Sequence, residues 1–442
     1  MTHREAAMGA AGEGTPPTTG QMLALWVPLA ASTVMMVLEP SIINIGLGRS
    51  ADPELALGAY GVAFSLALVV EAPILMLLDA AVARAVDRDA FVLIRRFTLM
   101  LGLFVTLVGL VFSLTPLYDM VVVDLMNIPT DVAARARPTL QILSFWSLPI
   151  AWRRAHQGVL IRKNHTRVIT VATGVRLVSL AGALFGGLLL FPQRGAVVAG
   201  LAMDFSVFVE AAVVTWATAP VVRSAGFRAG QAAGDQEPLT MRGLWRFYQP
   251  LAVTTVLRQL TRPMLNAGIA AALLPAASLA AWPVAWSLVI LIAGPAWSLQ
   301  QLTTALASDA PSYRRVSNFS LGLSAIFTLL LALVAFTPLY GPVMGGVYNL
   351  SPELQGLARP AVQWLAAYPL LMGIQSLLRG VLIRAGCTGT VRTAMVVNVA
   401  VVTATLALGV LFLSTSGAIL AALAMLTGNL AEWAWLAYKS RC

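Results

Sequence analysis

The chain has 442 residues, of which 58% are hydrophobic and only 11% charged, with a mean hydropathy of +0.81. Soluble domains carry about a quarter charged residues, so an ordinary soluble enzyme is excluded and the chain is an integral membrane protein. A formal charge of +10 would suggest nucleic acid in a soluble protein; in a membrane chain it first reports topology, and no nucleic-acid binding is expected.

In chain order, residues 1–20 are rich in Gly, Ala, Thr and Pro and read as a disordered tail without a cleavable leader. Each crossing of a hydrocarbon core about 30 Å thick needs about 20 apolar residues. Apolar runs predict twelve crossings, at about 22–46, 56–81, 96–116, 139–161, 168–191 and 195–218, then 248–270, 278–304, 317–338, 361–383, 391–413 and 416–437. The long polar connection, 219–247, carries Arg223, Arg228, Asp235, Glu237, Arg242 and Arg246 near the midpoint. The expected organisation is therefore an N-lobe over 21–218, a cytoplasmic linker over 219–247 and a C-lobe over 248–442. Cys387 and Cys442 offer neither a disulfide framework nor zinc-site spacing, so no metal or other cofactor is expected.

The second half repeats the first at a constant offset of 222 residues. Pro28-Leu29-Ala30 returns as Pro250-Leu251-Ala252, Asn44 as Asn266, and Thr115-Pro116-Leu117-Tyr118 as Thr337-Pro338-Leu339-Tyr340. Ala136-Arg137-Pro138 returns as Ala358-Arg359-Pro360, and Gly158 to Arg162 as Gly380 to Arg384, while Asp87 meets Asp309 and Glu210 meets Glu432. Roughly three in ten aligned positions are identical, against roughly one in ten for chance matching of greasy chains. Six crossings per unit is an even number, so both units run in the same orientation. Parallel repeats of this kind belong to transporters with a substrate site near mid-membrane between the halves. With the N-terminus inside, 21 of the 29 basic residues fall on the inner side, which predicts cytoplasmic N- and C-termini.

Three arginines fall deep within predicted crossings: Arg176, Arg258 and Arg262. An Arg near the bilayer centre costs about 2.5–3.5 kcal/mol and needs a partner or a water-filled cavity. Arg258 and Arg262 are four residues apart and stack on a single helix face, extended by Thr255 and Asn266. Two stacked guanidinium groups suit a carboxylate or phosphate between them; the alternative is a pair of interhelical salt bridges. The repeat places Glu39 opposite Thr261 and Pro40 opposite Arg262. Glu39 is thus a candidate partner of the arginines in an empty state, with Pro40 loosening its helix, or simply part of an exposed kink. Arg153, Arg154 and His156 on the fourth crossing and Arg379 on the tenth are candidate lining of an inner vestibule that concentrates anions, or anchors that snorkel to headgroups. Buried carboxylates can carry a coupling proton, so Glu39, Glu71 and Asp79 are candidates for coupling to H+ or Na+. The symmetric Glu210 and Glu432 read as structural partners of inner-side arginines. The chain has no P-loop, no Gly-x-Ser-x-Gly elbow and no His-Glu-x-x-His pair, so the reading is not an enzyme.

Tyr60-Gly61-Val62-Ala63-Phe64-Ser65-Leu66, Leu260 to Asn266, Gly158 to Arg162 and Glu39 together resemble the progressive ankylosis protein family. The resemblance implies a MATE-like branch of the multidrug/oligosaccharidyl-lipid/polysaccharide flippase superfamily: an all-α polytopic membrane protein, twelve transmembrane helices as two parallel six-helix repeats in a V-shaped two-lobe bundle. It implies export of citrate, pyrophosphate or nucleotide. Arg262, Pro263 and Asn266 match the family's Ser/Thr-Arg-Pro-x-x-Asn pattern, whereas Arg258-Gln259 carries the polar pair in reversed order. The expected function is alternating-access export of a small polyanion through an Arg-lined cleft that also involves Asn44, by a monomer in a bacterial inner membrane. The alternatives are a cation-coupled multidrug exporter and a lipid-linked saccharide flippase.

Overall fold

The computed structural model describes residues 16–163, 165–224, 239–307, 309–385 and 387–439. Most of the expected N-terminal tail and residues 225–238 of the expected linker lie outside the described residues. Twelve helical segments follow: α1 (Thr19–Leu47), α2 (Pro53–Glu71 and Leu77–Arg84), α3 (Arg88–Leu114), α4 (Thr130–Phe145 and Ser147–Arg162), α5 (Thr166–Leu190) and α6 (Gly195–Arg223). The second set comprises α7 (Met241–Gln259 and Thr261–Ala270), α8 (Pro275–Ala293 and Leu299–Leu306), α9 (Ala310–Phe336), α10 (Pro352–Trp364 and Tyr368–Arg384), α11 (Thr388–Phe412) and α12 (Gly417–Lys439). Ten are long and apolar enough to cross a membrane on composition alone. The other two, α4 and α7, are the more polar members of the repeat pairs α4/α10 and α1/α7. No β-strand occurs among the described residues, only the isolated bridge between Leu273 and Ser416. The protein is therefore an all-α, twelve-helix, multi-pass membrane protein.

The predicted crossings fall on these helices, and the main differences are extensions at polar ends. Helix α3 begins at Arg88 rather than about 96, where the Asp87 side chain caps it by accepting from the Ala90 N–H at 2.8 Å. Asp309 caps α9 in the same way through Ser312, also at 2.8 Å. A carboxylate at this position satisfies an orphan amide and complements the helix dipole.

The duplication extends to individual hydrogen bonds. Arg137 donates to the carbonyls of Ser113 and Thr115, and Arg359, 222 residues on, to those of Ala335 and Thr337. Arg162 caps Val82 and Arg384 caps Thr304. The Tyr118 hydroxyl donates to the Ala133 carbonyl and the Tyr340 hydroxyl to that of Gln355; burial pushes both phenols well above the usual tyrosine value. Asn127 and Asn349 both take positive φ, at 53° and 57°, a conformation that Asn tolerates better than other side chains.

The compact units divide the chain differently from the expected lobes. One unit is residues 49–267; the other joins residues 1–48 to 268–442. Helix α1, expected with the first half, packs on α8 of the second, and α7, expected with the second half, packs on α2 of the first. The exchange is symmetric and has four polar anchors. Trp26 Nε1 donates to the Pro295 carbonyl at 3.4 Å, and the equivalent Tyr248 hydroxyl donates to the Pro73 carbonyl. Asn44 Nδ2 donates to the Pro283 carbonyl at 3.0 Å, and Asn266 Nδ2 to the equivalent Gly61 carbonyl at 3.4 Å and to Ser65 Oγ at 2.9 Å. The proline carbonyls are accessible because α2 and α8 each narrow to a 3₁₀ turn, Ala72–Met76 and Gly294–Ser298. There the Leu77 N–H turns to Ile74, leaving the Pro73 carbonyl without its α-helical donor.

Gly158 and Gly380 show how tightly α4 and α10 approach their neighbours. A Cβ at Gly158 would lie 2.4 Å from the Ala81 Cβ and 3.0 Å from the Val82 nitrogen; at Gly380 it would lie 2.6 Å from the Thr303 Cβ and 2.9 Å from the Gln300 carbonyl oxygen. Gly158→Val is expected to cost about 1–3 kcal/mol through overpacking and to lower the thermal midpoint of the detergent-solubilised protein. Gly174→Ala, where a Cβ meets nothing within 4 Å, is the control that leaves the midpoint level or raises it.

Candidate functional site

Residues 49–267 hold a buried polar cluster on the facing sides of α4, α5 and α6. Glu210 on α6 is almost fully buried and pairs with Arg153 of α4. Its other oxygen accepts from Gln157 Nε2 and Thr173 Oγ1, each at 3.3 Å, and Arg176 Nη1 lies 3.6 Å away. Two arginines thus share one carboxylate. Arg154, the next residue on α4, turns to other acids: Glu71, Asp79 and the Tyr248 hydroxyl lie within electrostatic reach of it, while its Nε has no hydrogen-bond partner. Glu71 is buried and Asp79 exposed.

The second unit carries a related cluster with its side chains rearranged. Arg379 of α10 pairs with Glu432 of α12 through Nε at 2.9 Å and through Nη2, and Asn398 Nδ2 donates to the other oxygen at 3.0 Å. In the repeat alignment Arg379 stands where the first unit has Gln157, and Gln375 where it has Arg153. Arginine and glutamine have exchanged places one helical turn apart, so each cluster keeps its contact to the glutamate. Asn398 replaces Arg176, so the second cluster has one cation per carboxylate.

The α7 stripe does not lie on one uninterrupted helix. Helix α7 breaks at Leu260, between Gln259 and Thr261, because Pro263 has no N–H to give the Gln259 carbonyl. The break separates Thr255 and Arg258 from Arg262 and Asn266. Thr255 is buried; the Arg258 side chain lies outside the described residues. Arg262 is exposed and forms no ion pair among the described residues. Asn266 and Asn44 are buried, with their amides engaged in anchoring the exchanged helices. Glu39 is half-buried on α1, which runs without a break through Pro40.

His156 is buried on α4. Its Nδ1 lies 2.8 Å from the Trp152 carbonyl, an acceptor only, which places the proton on Nδ1. His156 and Trp152 also floor a cavity of about 280 Å³ whose rim carries Arg88, Arg95 and Arg223. Sequence reasoning assigns those three arginines to topology alone. The available signal is that Arg88, Phe91 and Arg95 share one face of α3, and that the repeat holds Ala310 and Ser317 in place of the two arginines.

Residues 238–438 match the progressive ankylosis protein family. The fold is similar to an inward-facing multidrug resistance MATE family transporter of the MOP superfamily, with a TM-score of 0.69, 15% identity and coverage of 93% of this chain and 96% of that one. It is also similar to the lipid II flippase MurJ in an inward closed conformation, with a TM-score of 0.67, 13% identity and coverage of 92% and 86%. A MOP superfamily transporter from Pyrococcus furiosus, described as having a binding pocket of reverse polarity, gives a TM-score of 0.61, 14% identity and coverage of 95% and 94%. No curated protein matches the chain in sequence. The family match covers only the second half of the chain, whereas the fold likeness runs over nearly all of it. The chain thus has the fold of MATE-type transporters of the MOP superfamily.

Proposed function

We propose that this protein is a member of the progressive ankylosis family and an alternating-access exporter of a small polyanion such as citrate, pyrophosphate or a nucleotide. The observation that carries the reading is Arg262: an arginine with solvent-accessible surface on α7, next to a break in that helix, with no carboxylate paired to it among the described residues. Such a charge is tolerated where water or an anion meets it, and its planar fork suits a carboxylate or phosphate. A cation exporter would be poorly served by it. Arg154, and Arg153 with Arg176 in excess over their one carboxylate Glu210, would add positive potential toward the arginine-rich end of the helices, which the positive-inside rule puts in the cytoplasm of an inner membrane. Arg379, paired with Glu432, and His156, hydrogen-bonded to the Trp152 carbonyl, would position neighbouring groups rather than add charge. Coupling to H+ or Na+ would fall to Glu39, Glu71 or Asp79, and the functional unit would be the monomer. A second reading, a flippase for a lipid-linked saccharide, draws on the likeness to MurJ; its diphosphate would meet the same arginine.

Transport in proteoliposomes tests the reading, with labelled citrate, pyrophosphate and ATP set against a cationic dye. Arg262→Ala is expected to lower polyanion flux at least about tenfold, the loss of one charge-assisted contact, in protein that keeps its elution profile. Unchanged polyanion flux in that variant, or dye flux alone in the wild type, would overturn the anion assignment. Flux indifferent to imposed pH and sodium gradients would remove the three carboxylates from a coupling role.

A further inference from the structure

The first unit holds a second concentration of positive charge that the transport reading does not use. Arg88 and Arg95 on α3 and Arg223 at the end of α6 converge from two helices on one cavity of about 280 Å³. All three are exposed at the rim, whereas Phe91, His156 and Thr218 beneath them are buried. No acidic side chain among the described residues lines the cavity. The nearest acids in sequence are Asp87, which caps α3 through the Ala90 N–H, and the exposed Asp89. None of the three arginines forms a salt bridge among the described residues. The floor is aromatic and ordered: Phe91 meets the His156 ring edge to face at 5.3 Å, Trp152 and His156 lie 4.7 Å apart, and Arg95 sits over Trp152 at 5.9 Å.

Ordinary topological arginines spread around a helix bundle and reach outward to headgroups. Here three of them close on one concavity, and their mutual repulsion is unrelieved by any carboxylate among the described residues of its lining. The repeat underlines the specificity, since the second unit has Ala310, Ser317, Ile374 and Leu378 where the first has Arg88, Arg95, Trp152 and His156. A single carboxylate would leave most of this charge uncompensated; a phosphate group brings nearly two negative charges and several acceptor oxygens for guanidinium forks. The volume lies just below the range of about 300–1,000 Å³ typical of drug-sized ligands, which suits a small anion or a headgroup rather than a whole lipid.

We propose that the cavity framed by Arg88, Arg95 and Arg223 is a binding site for a phosphate-bearing anion, either a free phosphate compound or the headgroup of an anionic lipid. It is separate from Arg262 and does not depend on the transported substrate being an anion.

The full-length protein in phosphatidylcholine nanodiscs is titrated with pyrophosphate by calorimetry. Because pyrophosphate is also a candidate substrate at Arg262, the titration is run in an Arg262→Ala background, where one site is expected, weakened about tenfold by Arg95→Gln and again by Arg223→Gln, and unaffected by Arg194→Gln, an exposed arginine outside the cavity. Arg223→Gln, at an exposed helix end, keeps the test decisive if Arg95→Gln does not fold. In nanodiscs containing phosphatidylglycerol, native mass spectrometry separates the two sources. A retained phosphatidylglycerol that excludes pyrophosphate and is lost in Arg95→Gln identifies a headgroup; pyrophosphate binding that persists identifies a free phosphate. Binding unchanged by both cavity substitutions, or neither pyrophosphate nor phosphatidylglycerol retained, would overturn the site. A second, Arg262-dependent site in the wild type reports on the transport reading and the site left in Arg262→Ala reports on the cavity, so failure of one reading and failure of the other are told apart.

Discussion

Glu210→Gln is expected to destabilise the protein by about 3–5 kcal/mol, the cost of leaving buried charge without its counter-ion. Glu210 is 1% exposed and Arg153 8%, so water cannot take over the lost interaction. The glutamate also accepts from Gln157 and Thr173 and faces Arg176. Its neutral replacement would leave two guanidinium groups facing each other across a donor-rich pocket. The thermal midpoint in detergent should fall sharply, and a fraction of the protein should aggregate during size-exclusion chromatography. Glu432→Gln provides an internal scale. Its single arginine, Arg379, has a side chain 21% exposed and can turn partly to solvent, so the loss should be smaller, about 2–3 kcal/mol. Equal losses at the two sites would mean that Arg176 adds nothing to the first cluster.

The second large effect is a rescue. Arg153→Gln alone removes the closest cation from Glu210 and is expected to cost about 2–3 kcal/mol. Adding Gln157→Arg should recover all but about 1 kcal/mol, because it recreates the order Gln375, Arg379 by which α10 reaches Glu432. The residue at 153 then takes over the part of Gln375, which donates to the Asn429 carbonyl at 2.7 Å; the equivalent acceptor in the first unit is the Val207 carbonyl. A double-mutant cycle on the thermal midpoint measures the coupling. Additive losses would show that the two clusters are not interchangeable in geometry, despite their common descent.

Much of this architecture is legible in the sequence. The offset of 222 that aligns Arg137 with Arg359 and Tyr118 with Tyr340 also predicts their equivalent hydrogen bonds, because a backbone carbonyl a fixed distance away in the repeat accepts whatever side chain occupies the donor position. Pro263 likewise signals the break in α7. The partners of α1 and α7 are not legible. Exchanging two equivalent helices leaves every aligned pair intact, and the donors that fix the exchange, Trp26 and Tyr248, differ in residue type although they hold the same carbonyl position. The arginine-framed cavity escapes for another reason. Arg88, Arg95 and Arg223 each satisfy the positive-inside rule singly, and only the packing of α4 against both α3 and α6 shows that they meet on one cavity.

The placement of α1 has a consequence for how the protein is made. Residues 49–267 form an unbroken stretch that can complete its own packing while the ribosome is still translating, whereas α1, synthesised first, has its partners at Pro275 and beyond. At about 5–20 residues per second, the roughly 230 residues between them impose a wait on the order of 10–50 s. Throughout that interval a mostly apolar helix interrupted by Glu39 and two prolines must sit in the bilayer without its native neighbour. Insertion factors that hold single helices would act on α1 first, and their depletion should trap nascent chains with α1 still accessible to crosslinking after residues 49–267 have become protease-resistant.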